Sequence, residues 1–306
     1  MEIVTIEQLS KRNDPCAVAI GYFDGLHIGH QAVIKKAIDY KRKNKQAASV
    51  VITFDRSPKV ATKRTLDEGD LMTPAAKIQF LADMGVDYLL VLTFDTTLLN
   101  LSADDFIKQY LINIHAQFVA VGFDFKFGQG KKGDAAKLMA CGHFQVAICE
   151  PIMKDGHKVA TRAIKTFLKS NDFHAAKASL GRPFSINGQV IYGNQIGRTI
   201  GFPTANLKIE KEQFFPFQGV FTTVATVDGI TYKSMTNVGT NPTVCDNGGQ
   251  SIETHLLSFD GDLYGKQIQL TFMHKIREEV KFDSLEKLLL QLELDKKMTE
   301  AMVLDS

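Results

Sequence analysis

The chain has 306 residues, of which 44% are hydrophobic and 23% are charged, and its formal net charge at pH 7 is +2. This composition excludes a disordered or fibrous protein, and the length is enough for about two domains. A charge so close to neutral gives no support to nucleic-acid binding, and no run approaches the roughly 18 apolar residues that a membrane span needs.

The cysteines also limit the class of protein. Cys16, Cys141, Cys149 and Cys245 include no Cys-x-x-Cys pair. They are too few to form a disulfide framework in a chain of this length, and their spacing does not match a zinc site. Together with an N-terminal segment that lacks a long apolar region, they predict a reducing compartment and a cytoplasmic location.

The first part of the chain, to about residue 180, alternates short apolar runs with helical patterns. The predicted strands are 18–23, 49–54, 88–92, 118–121 and 144–149. The predicted helices are 29–43, 74–84 and 102–112, the last opened by Ser102 and Asp105 as a capping pair. Buried strands separated by helices predict a parallel sheet with right-handed crossovers, which is a doubly wound α/β domain.

The second part of the chain begins after Gly181-Arg182-Pro183, a plausible short linker. Strand-like alternation and turn signals replace the helices, and Asp228-Gly229 joins two of the predicted strands in a hairpin. Near the end, leucines form one stripe behind Ser284, which can cap a helix; these are residues 285, 288, 289 and 292. The sequence therefore predicts an α/β domain over 1–180 and an all-β domain over 183–306, with a terminal helix packed on the sheet.

The segment GYFDGLHIGH, residues 21–30, follows the first buried strand. A strand, a glycine turn and then a helix present bare N–H groups and the positive end of a helix dipole to an anion such as phosphate. His27 and His30 share one face of the first helical turn, and Gly25 and Gly29 allow close approach. The spacing matches neither the dinucleotide-binding nor the P-loop pattern, so it disfavours a plain Rossmann dehydrogenase or a P-loop kinase.

The order of these features resembles the HIGH nucleotidyltransferases, and G-x-F-D-G-x-H-x-G-H-Q is similar to the adenylyltransferase half of bacterial bifunctional riboflavin kinase/FAD synthetases. The resemblance implies a Rossmann-like α/β nucleotidyltransferase domain in which His27 and His30 stabilise charge during attack on the α-phosphorus of ATP. The ATP-binding residues that it implies are Gly21, Phe23, Asp24, Gly25, His27, Gly29, His30, Thr161 and Lys165. Residues 122–128, GFDFKFG, resemble the flavin signature of the family, which implies flavin contacts from Asp124, Phe125 and Phe127.

Two motifs of this half differ from the family pattern. The family's Ser-Ser-Thr-x-Ile-Arg is replaced by ATRAIK at residues 160–165, and its Thr-Phe-x-Pro-His-Pro by TFDRSP at residues 53–58. Lys165 keeps the charge of the arginine but lacks the planar fork that binds phosphate at two points. Thr161 and Arg162 are candidates for partial compensation. Adenylylation of FMN is the expected activity, and reduced or absent activity in this half stays open.

Residues 193–206, GNQIGRTIGFPTAN, combine a glycine-rich backbone with a rigid Pro203 turn that displays Thr204 and Asn206. Hydroxyl and amide oxygens are hard ligands that suit Mg²⁺. The string resembles the riboflavin kinase signature, and the resemblance implies that Thr204 and Asn206 contribute to a Mg-ATP site. The ATP-binding residues implied in this half are Gly193, Gly197, Gly201, Thr204 and Asn206.

Residues 237–243 and 253–265 also resemble the kinase domain, whose fold is a small Greek-key β-barrel. In a strand, Glu253 and His255 lie on one face and Thr254 on the other, so one face can be chemical. By resemblance, Glu253 is the general base that takes the proton from the ribityl hydroxyl of riboflavin. Arg277 resembles a flavin-side position of the family, and a surface charge cluster at residues 275–279 stays open as the alternative.

The resemblance therefore implies a bifunctional enzyme that acts on small molecules. The barrel would convert riboflavin and ATP to FMN and ADP, and the first domain FMN and ATP to FAD and pyrophosphate, each with Mg²⁺. Two alternatives stay open: a riboflavin kinase whose first domain binds nucleotide without turnover, and a non-catalytic flavin or nucleotide sensor. The sequence predicts no nucleic-acid or membrane partner and does not predict the oligomeric state.

Overall fold

The computed structural model describes residues 1–57, 68–193, 197, 200–210, 213–240 and 250–303. Cys245 and residues 241–243 of a predicted kinase motif lie outside these ranges. The chain forms two compact units, one of Met1–Asp67 and Pro74–Thr161 and the other of Glu68–Thr73 and Arg162–Ser306. Within the described ranges, no helix combines the length and the apolar character needed to cross a membrane.

The first unit contains a six-stranded sheet in the order β1-β4-β3-β2-β5-β8, and every pair in it is parallel. The strands of the first unit, inside and outside this sheet, are β1 Glu2–Val4, β2 Cys16–Ile20, β3 Ala48–Phe54, β4 Tyr88–Leu92, β5 Ala116–Gly122, β6 Lys126–Phe127, β7 Gly133–Asp134, β8 Gln145–Cys149, β9 Met153–Lys154 and β10 His157–Lys158. All five residues of β2 are buried. This confirms the predicted doubly wound sheet, whose inner strands are apolar on both faces.

The helices of this unit are α1 Ile6–Ser10, α2 Ile28–Lys43, α3 Pro74–Asp83, α4 Thr96–Asn100, α5 Ala103–Ile107 and α6 Ala135–Ala140. Ser102 caps α5 as predicted, because its Oγ accepts a hydrogen bond from the Asp105 N–H at 3.0 Å. The chain then continues as one π-helical turn, Lys108–Ile112, rather than as α-helix.

The second unit is a closed antiparallel barrel with strand order β11-β12-β15-β14-β13-β16. Its strands are β11 Ser185–Ile191, β12 Ala205–Ile209, β13 Gly219–Val227, β14 Ile230–Thr240, β15 Gln250–Leu256 and β16 Gln267–Arg277. Its helices are α7 Thr161–Lys169, which begins at the last residue of the first unit, α8 Phe173–Leu180 and α9 Leu285–Ala301. The predicted all-β barrel, its Asp228-Gly229 hairpin and its terminal helix are confirmed.

The two compact units divide at a different place from the predicted boundary at 180–183. Helices α7 and α8 share one hydrophobic core with the barrel, because Ile164, Leu168 and Phe173 lie in the same buried cluster as Phe217 and Phe272. Apolar periodicity identifies a helix but does not say which core it completes. The predicted boundary between catalytic domains stays a prediction.

The inside of the barrel contains a connected group of hydroxyl side chains. Thr236 donates to Thr254 at 2.9 Å, and Thr223 lies 2.7 Å from both Thr236 and Ser234, oxygen to oxygen. All four residues are inaccessible to solvent. Since Thr254 points into the barrel, its neighbour Glu253 points out of it, as the alternation along β15 predicts.

The terminal helix α9 packs differently from the prediction. Ser284 caps it, accepting from the Lys287 N–H at 3.3 Å, but Leu285 is exposed. The fully buried positions are Asp295 and Thr299. A leucine stripe therefore identifies the helix correctly, whereas the centre of its buried face is polar.

Candidate active sites

The glycine turn of the first unit follows β2 and has an unusual backbone. Phe23 has φ of 56° and Gly25 has φ of 72°, so both lie in the left-handed region. This ends β2 at Ile20, whereas the sequence predicted a strand to residue 23. A Cβ at Gly21 would lie 2.7 Å from the ring of Phe23, so only glycine fits where that ring folds back over the chain.

The rings of the two histidines of the turn pack on each other at the start of α2. His27 caps the helix, and its Nδ1 accepts a hydrogen bond from the His30 N–H at 3.2 Å. The ring centroids of His27 and His30 are 3.5 Å apart with an interplanar angle of 19°, so the imidazoles are stacked. The Nδ1 of His30 is buried and has no hydrogen-bond partner among the described residues.

The surroundings of His30 disfavour a positive charge on its ring. Burial lowers its pKa well below 6.5, and the charges of His27 and Lys77 lower it further, while Asp24 raises it through a backbone hydrogen bond. A neutral His30 ring can still donate a hydrogen bond to an anion, and the N-terminus of α2 adds partial positive charge. The geometry therefore suits the binding of phosphate oxygens.

The second site lies on the outer face of the barrel, where β12 and β15 are paired. Asn206 stands opposite Glu253 in the register, and Thr204 Oγ1 is 3.4 Å from Glu253 Oε2. On the same face, His255 Nδ1 lies 2.7 Å from the carbonyl oxygen of Pro203. The hydroxyl of Thr204 and the amide of Asn206, close neighbours in the sequence, thus meet the carboxylate of Glu253, which lies 49 residues after Thr204.

Two glycines are required by this arrangement. A Cβ at Gly193 would lie 2.2 Å from Asn206 Nδ2, and one at Gly197 would lie 2.3 Å from the carbonyl oxygen of Phe202. The Phe202 N–H also donates to the Gly197 carbonyl oxygen at 2.9 Å. Gly201 has φ of 82° and open space around it, so its need for glycine is conformational.

Comparison with known proteins covers both halves of the chain. The FAD synthetase family model matches residues 9–163, and the riboflavin kinase model matches residues 180–303. A Listeria monocytogenes protein named bifunctional riboflavin kinase/FMN adenylyltransferase is 35% identical over 288 residues, or 93% of this chain and 91% of that protein. The chain belongs to the bifunctional riboflavin kinase/FMN adenylyltransferase family.

Other relatives agree with this membership. A Haemophilus influenzae protein of the same name is 36% identical and is matched over 94% of each chain. A crystal structure from Streptococcus pneumoniae, described as a macrolide-efflux protein, is 30% identical with a TM-score of 0.89, and the match covers 99% of this chain and 100% of that one. The two-domain fold is therefore shared along the whole length.

In the adenylyltransferase half, the two candidate phosphate ligands of the altered motif at residues 160–165 contact different groups. Thr161 Oγ1 donates to the carbonyl oxygen of Asp24 at 3.4 Å, so it reaches the glycine turn. Lys165 belongs to the second unit, where its Nζ donates to the Gly69 carbonyl oxygen at 2.5 Å and lies 4.9 Å from the centroid of the Phe214 ring. The structure thus gives Lys165 a packing role within the second unit.

The flavin signature at residues 122–128 contains aromatic rings in different environments. Phe127 is buried and packs on Phe106 with a centroid distance of 5.1 Å, so it belongs to the core of the first unit. Phe125 is half-buried and Asp124 is exposed. Phe123 is 40% exposed, with Lys158 Nζ 4.0 Å from its ring centroid. The predicted flavin contacts of Asp124 and Phe125 are accessible, whereas Phe127 would need its core packing to change.

In the kinase half, burial raises the pKa of Glu253, and the charge of Glu279 raises it further, while the hydrogen bond from Thr204 opposes the shift. Burial also lowers the pKa of His255. A carboxylate whose pKa is raised towards the working pH is better suited to accept a proton than an exposed one.

Arg277, predicted on the flavin side, makes a buried ion pair. Its Nε and Nη2 donate to Asp295 Oδ2 at 3.0 and 2.8 Å, and Gln291 donates to the same carboxylate at 2.9 Å. The guanidinium therefore fixes α9 to β16. Its predicted flavin contact stays a prediction.

Sequence reasoning missed three polar residues near the two sites. Asn237 stands opposite Glu253 on β14, and its Oδ1 is buried without a hydrogen-bond partner among the described residues. Glu279 accepts from Asn237 Nδ2 at 3.3 Å. Lys77 lies under the glycine turn of the other unit. Asn237 lies in a segment that resembles the kinase domain, which was the available signal; Lys77 belongs to no recognised motif.

Proposed function

We propose that the protein makes both flavin cofactors from riboflavin. The barrel transfers the γ-phosphoryl group of ATP to riboflavin, and the first unit transfers the adenylyl group of ATP to FMN. The observation that carries the kinase assignment is the meeting of Thr204, Asn206 and Glu253 on one face of the barrel. The stacked histidines at the start of α2 carry the adenylyltransferase assignment.

In the kinase reaction, Glu253 takes the proton from the ribityl hydroxyl as that oxygen attacks the γ-phosphorus. Its burial supports this role, because a carboxylate with a raised pKa binds the proton more readily. Thr204 orients the carboxylate through its hydroxyl. Gly193 and Gly197 allow Asn206 and Phe202 to pack closely, and Gly201 has open space beside it where the nucleotide can approach the main chain.

Mg²⁺ is part of the proposal for this site. No cluster of three His, Cys, Asp or Glu side chains that could hold a metal ion occurs among the described residues. The protein ligands that we propose are the oxygens of Thr204 and Asn206. These hard donors fit Mg²⁺, which keeps waters and binds nucleotide phosphates. The ion would neutralise charge on the phosphates.

In the adenylyl transfer, His27 and His30 donate hydrogen bonds to the phosphates, and the helix N-terminus adds its partial positive charge. Thr161 adds a hydroxyl at the same turn. FMN is the nucleophile through its phosphate, so the chemistry needs positioning and charge stabilisation rather than a covalent intermediate. We keep residues 1–180 and 183–306 as the proposed catalytic domains and the cytoplasm as the proposed location.

The deciding experiment supplies FMN, ATP and Mg²⁺ to the purified protein and measures FAD by chromatography. FAD formation supports the proposal that the protein has both activities. A kinase that makes FMN from riboflavin but no FAD would favour the alternative in which the first unit only binds nucleotide, an alternative supported by the replaced motif and by the contact of Lys165 with Gly69. Ligand binding with neither product would favour a sensor.

A further inference from the structure

A buried lysine lies directly under the glycine turn of the adenylyltransferase site. Lys77, on α3, is only 8% exposed. Its Nζ donates to the carbonyl oxygen of Tyr22 at 3.0 Å and lies 4.4 Å from the centroid of the Tyr22 ring. The Thr53 hydroxyl donates to the same carbonyl at 3.0 Å. The ammonium is therefore held at the carboxyl end of β2 and β3, the edge of a parallel sheet where ligands bind.

The reaction at this turn needs positive charge from the protein. ATP and FMN both bring phosphates, and charge increases on the oxygen that bridges the α- and β-phosphorus atoms as its bond to the α-phosphorus breaks and pyrophosphate leaves. The arginine that the family pattern places at position 165 is a lysine here, and its ammonium is bonded to Gly69 in the second unit. A cation within the first unit would meet the same requirement.

We propose that Lys77 is a phosphate-binding residue of the adenylyltransferase site and supplies the cationic contact that the altered motif at residues 160–165 weakens. The inference rests on the proposed adenylyl transfer. The lysine is a point charge on a flexible stem, so a movement of the ammonium from the Tyr22 carbonyl towards the phosphates is sufficient. The Tyr22 contact holds it in place before ATP binds.

The electrostatic effect of Lys77 on His30 supports the placement of this lysine close to the glycine turn. The charge of Lys77 lowers the pKa of His30, as do burial and the charge of His27, while Asp24 raises it through a backbone hydrogen bond. These are the groups that act on the His30 ring. Because a cation disfavours the imidazolium, removing the Lys77 charge raises the pKa of His30.

The test compares Lys77→Met, Lys77→Arg and, as a matched control, Lys41→Met. Lys41 is a half-buried lysine of the same unit that pairs with Asp87 at 2.6 Å, away from the glycine turn. We expect Lys77→Met to lower kcat/KM for FAD formation about 100-fold, as loss of a transition-state donor does. Lys77→Arg should restore much of the loss, and Lys41→Met should change it little. Because the kinase site lies in the other unit, the far-UV circular dichroism and thermal unfolding of each variant are measured to show that the first unit folds.

A second readout does not depend on turnover. Pyrophosphate is titrated into each protein while the imidazole NMR signals of His27 and His30 are followed. We expect at least tenfold weaker binding in Lys77→Met and a higher pKa for His30, with wild-type values in Lys41→Met. Unchanged pyrophosphate affinity in Lys77→Met overturns the inference, whether or not FAD forms. Wild-type protein that binds pyrophosphate through Lys77 but makes no FAD would instead overturn the proposed adenylyl transfer alone.

Discussion

Glu253, the proposed general base of the kinase reaction, weakens the fold that holds it when its carboxylate is ionised. Its carboxylate is held largely out of water on the barrel and faces the hydroxyl of Thr204, and burial raises its pKa above 4.5. A raised pKa means that the folded protein binds this proton more tightly than the unfolded chain does. The ionised form that the reaction needs is therefore the form that the fold disfavours.

Glu253→Gln should abolish the kinase and stabilise the barrel at the same time. Without the base, FMN formation should fall by about 10² to 10⁴, while FAD formation from supplied FMN continues. At pH 7 the variant should unfold at a higher temperature than the wild type, because the glutamine carries no buried charge.

The size of the stability difference between the variant and the wild type depends on pH. The wild type keeps the full contribution of the protonated carboxyl below pH 4.5 and loses it as the pH rises through the folded pKa. The difference in Tm between the variant and the wild type should therefore shrink as the pH falls. Calorimetry from pH 4 to 8 measures it, and a variant less stable than the wild type at pH 7 would contradict the assignment of the shift to burial.

Glu279 offers a second residue-scale prediction, since its charge adds to the rise in the pKa of Glu253. Glu279→Gln removes that repulsion, so the pKa of Glu253 should fall. The acid limb of the kcat/KM profile for FMN formation should move to lower pH, because the base stays ionised further into acid. A limb that stays in place would mean that another group controls it.

Gly193, in the glycine-rich segment before β12, constrains the position of the Asn206 side chain. Gly193→Ala would place a methyl group 2.2 Å from Asn206 Nδ2, so the amide must move. A displacement of about 1 Å at such a site can cost about 100-fold in rate, and we expect a loss of that order in FMN formation.

The matched control for Gly193 is Gly229 in the β13–β14 hairpin. Gly229 has φ of 81°, and a Cβ added there would meet no atom of the described residues within 4 Å. Gly229→Ala therefore strains only the backbone, by about 1 kcal/mol. We expect its kinase activity to stay near that of the wild type. Equal losses in both variants would show that the position of Asn206 does not limit the reaction.

The terminal helix depends on one buried ion pair more than on its leucines. Asp295→Ala leaves the Arg277 guanidinium without its carboxylate and should lower the free energy of unfolding by about 3 to 5 kcal/mol. Ser284→Ala, which removes only the helix cap, should cost about 1 kcal/mol. Urea unfolding followed by circular dichroism compares them, and a larger loss in Ser284→Ala would contradict this ranking.

Elements whose stability depends on local pattern could be predicted from the sequence, and those that depend on distant partners could not. The strand at Tyr88–Leu92 has its predicted bounds, and α2 differs by one residue from its predicted start. The edge strand Glu2–Val4 has no apolar run of its own, because its pairing with β4 defines it. The burial of Asp295 also escaped prediction, since hydrophobic periodicity contains no information about an arginine on another strand.

The same distinction holds for the whole molecule and its two sites. Thr204, Asn206 and Glu253 could be named from motifs, and the antiparallel register then brings them together. Lys77 could not, because it belongs to no recognised motif, and Glu279 lies after the end of β16; Asn237 lies in a segment that resembles the kinase domain, but only the strand pairing places it opposite Glu253. Each site is complete enough within its own unit to be tested separately, and the reaction of one supplies the substrate of the other.

Separate sites predict that two chains, each disabled in one half, restore the full sequence of reactions when mixed. His30→Ala should lower adenylyl transfer by about 10² to 10³ and leave FMN formation intact, whereas Glu253→Gln should do the reverse. With riboflavin, ATP and Mg²⁺, neither variant alone should make appreciable FAD. The mixture should make FAD after a lag in which FMN accumulates, because FMN must leave one chain and enter the other. Absence of FAD from the mixture, while Glu253→Gln still converts supplied FMN, would show that FMN is not released from the kinase site.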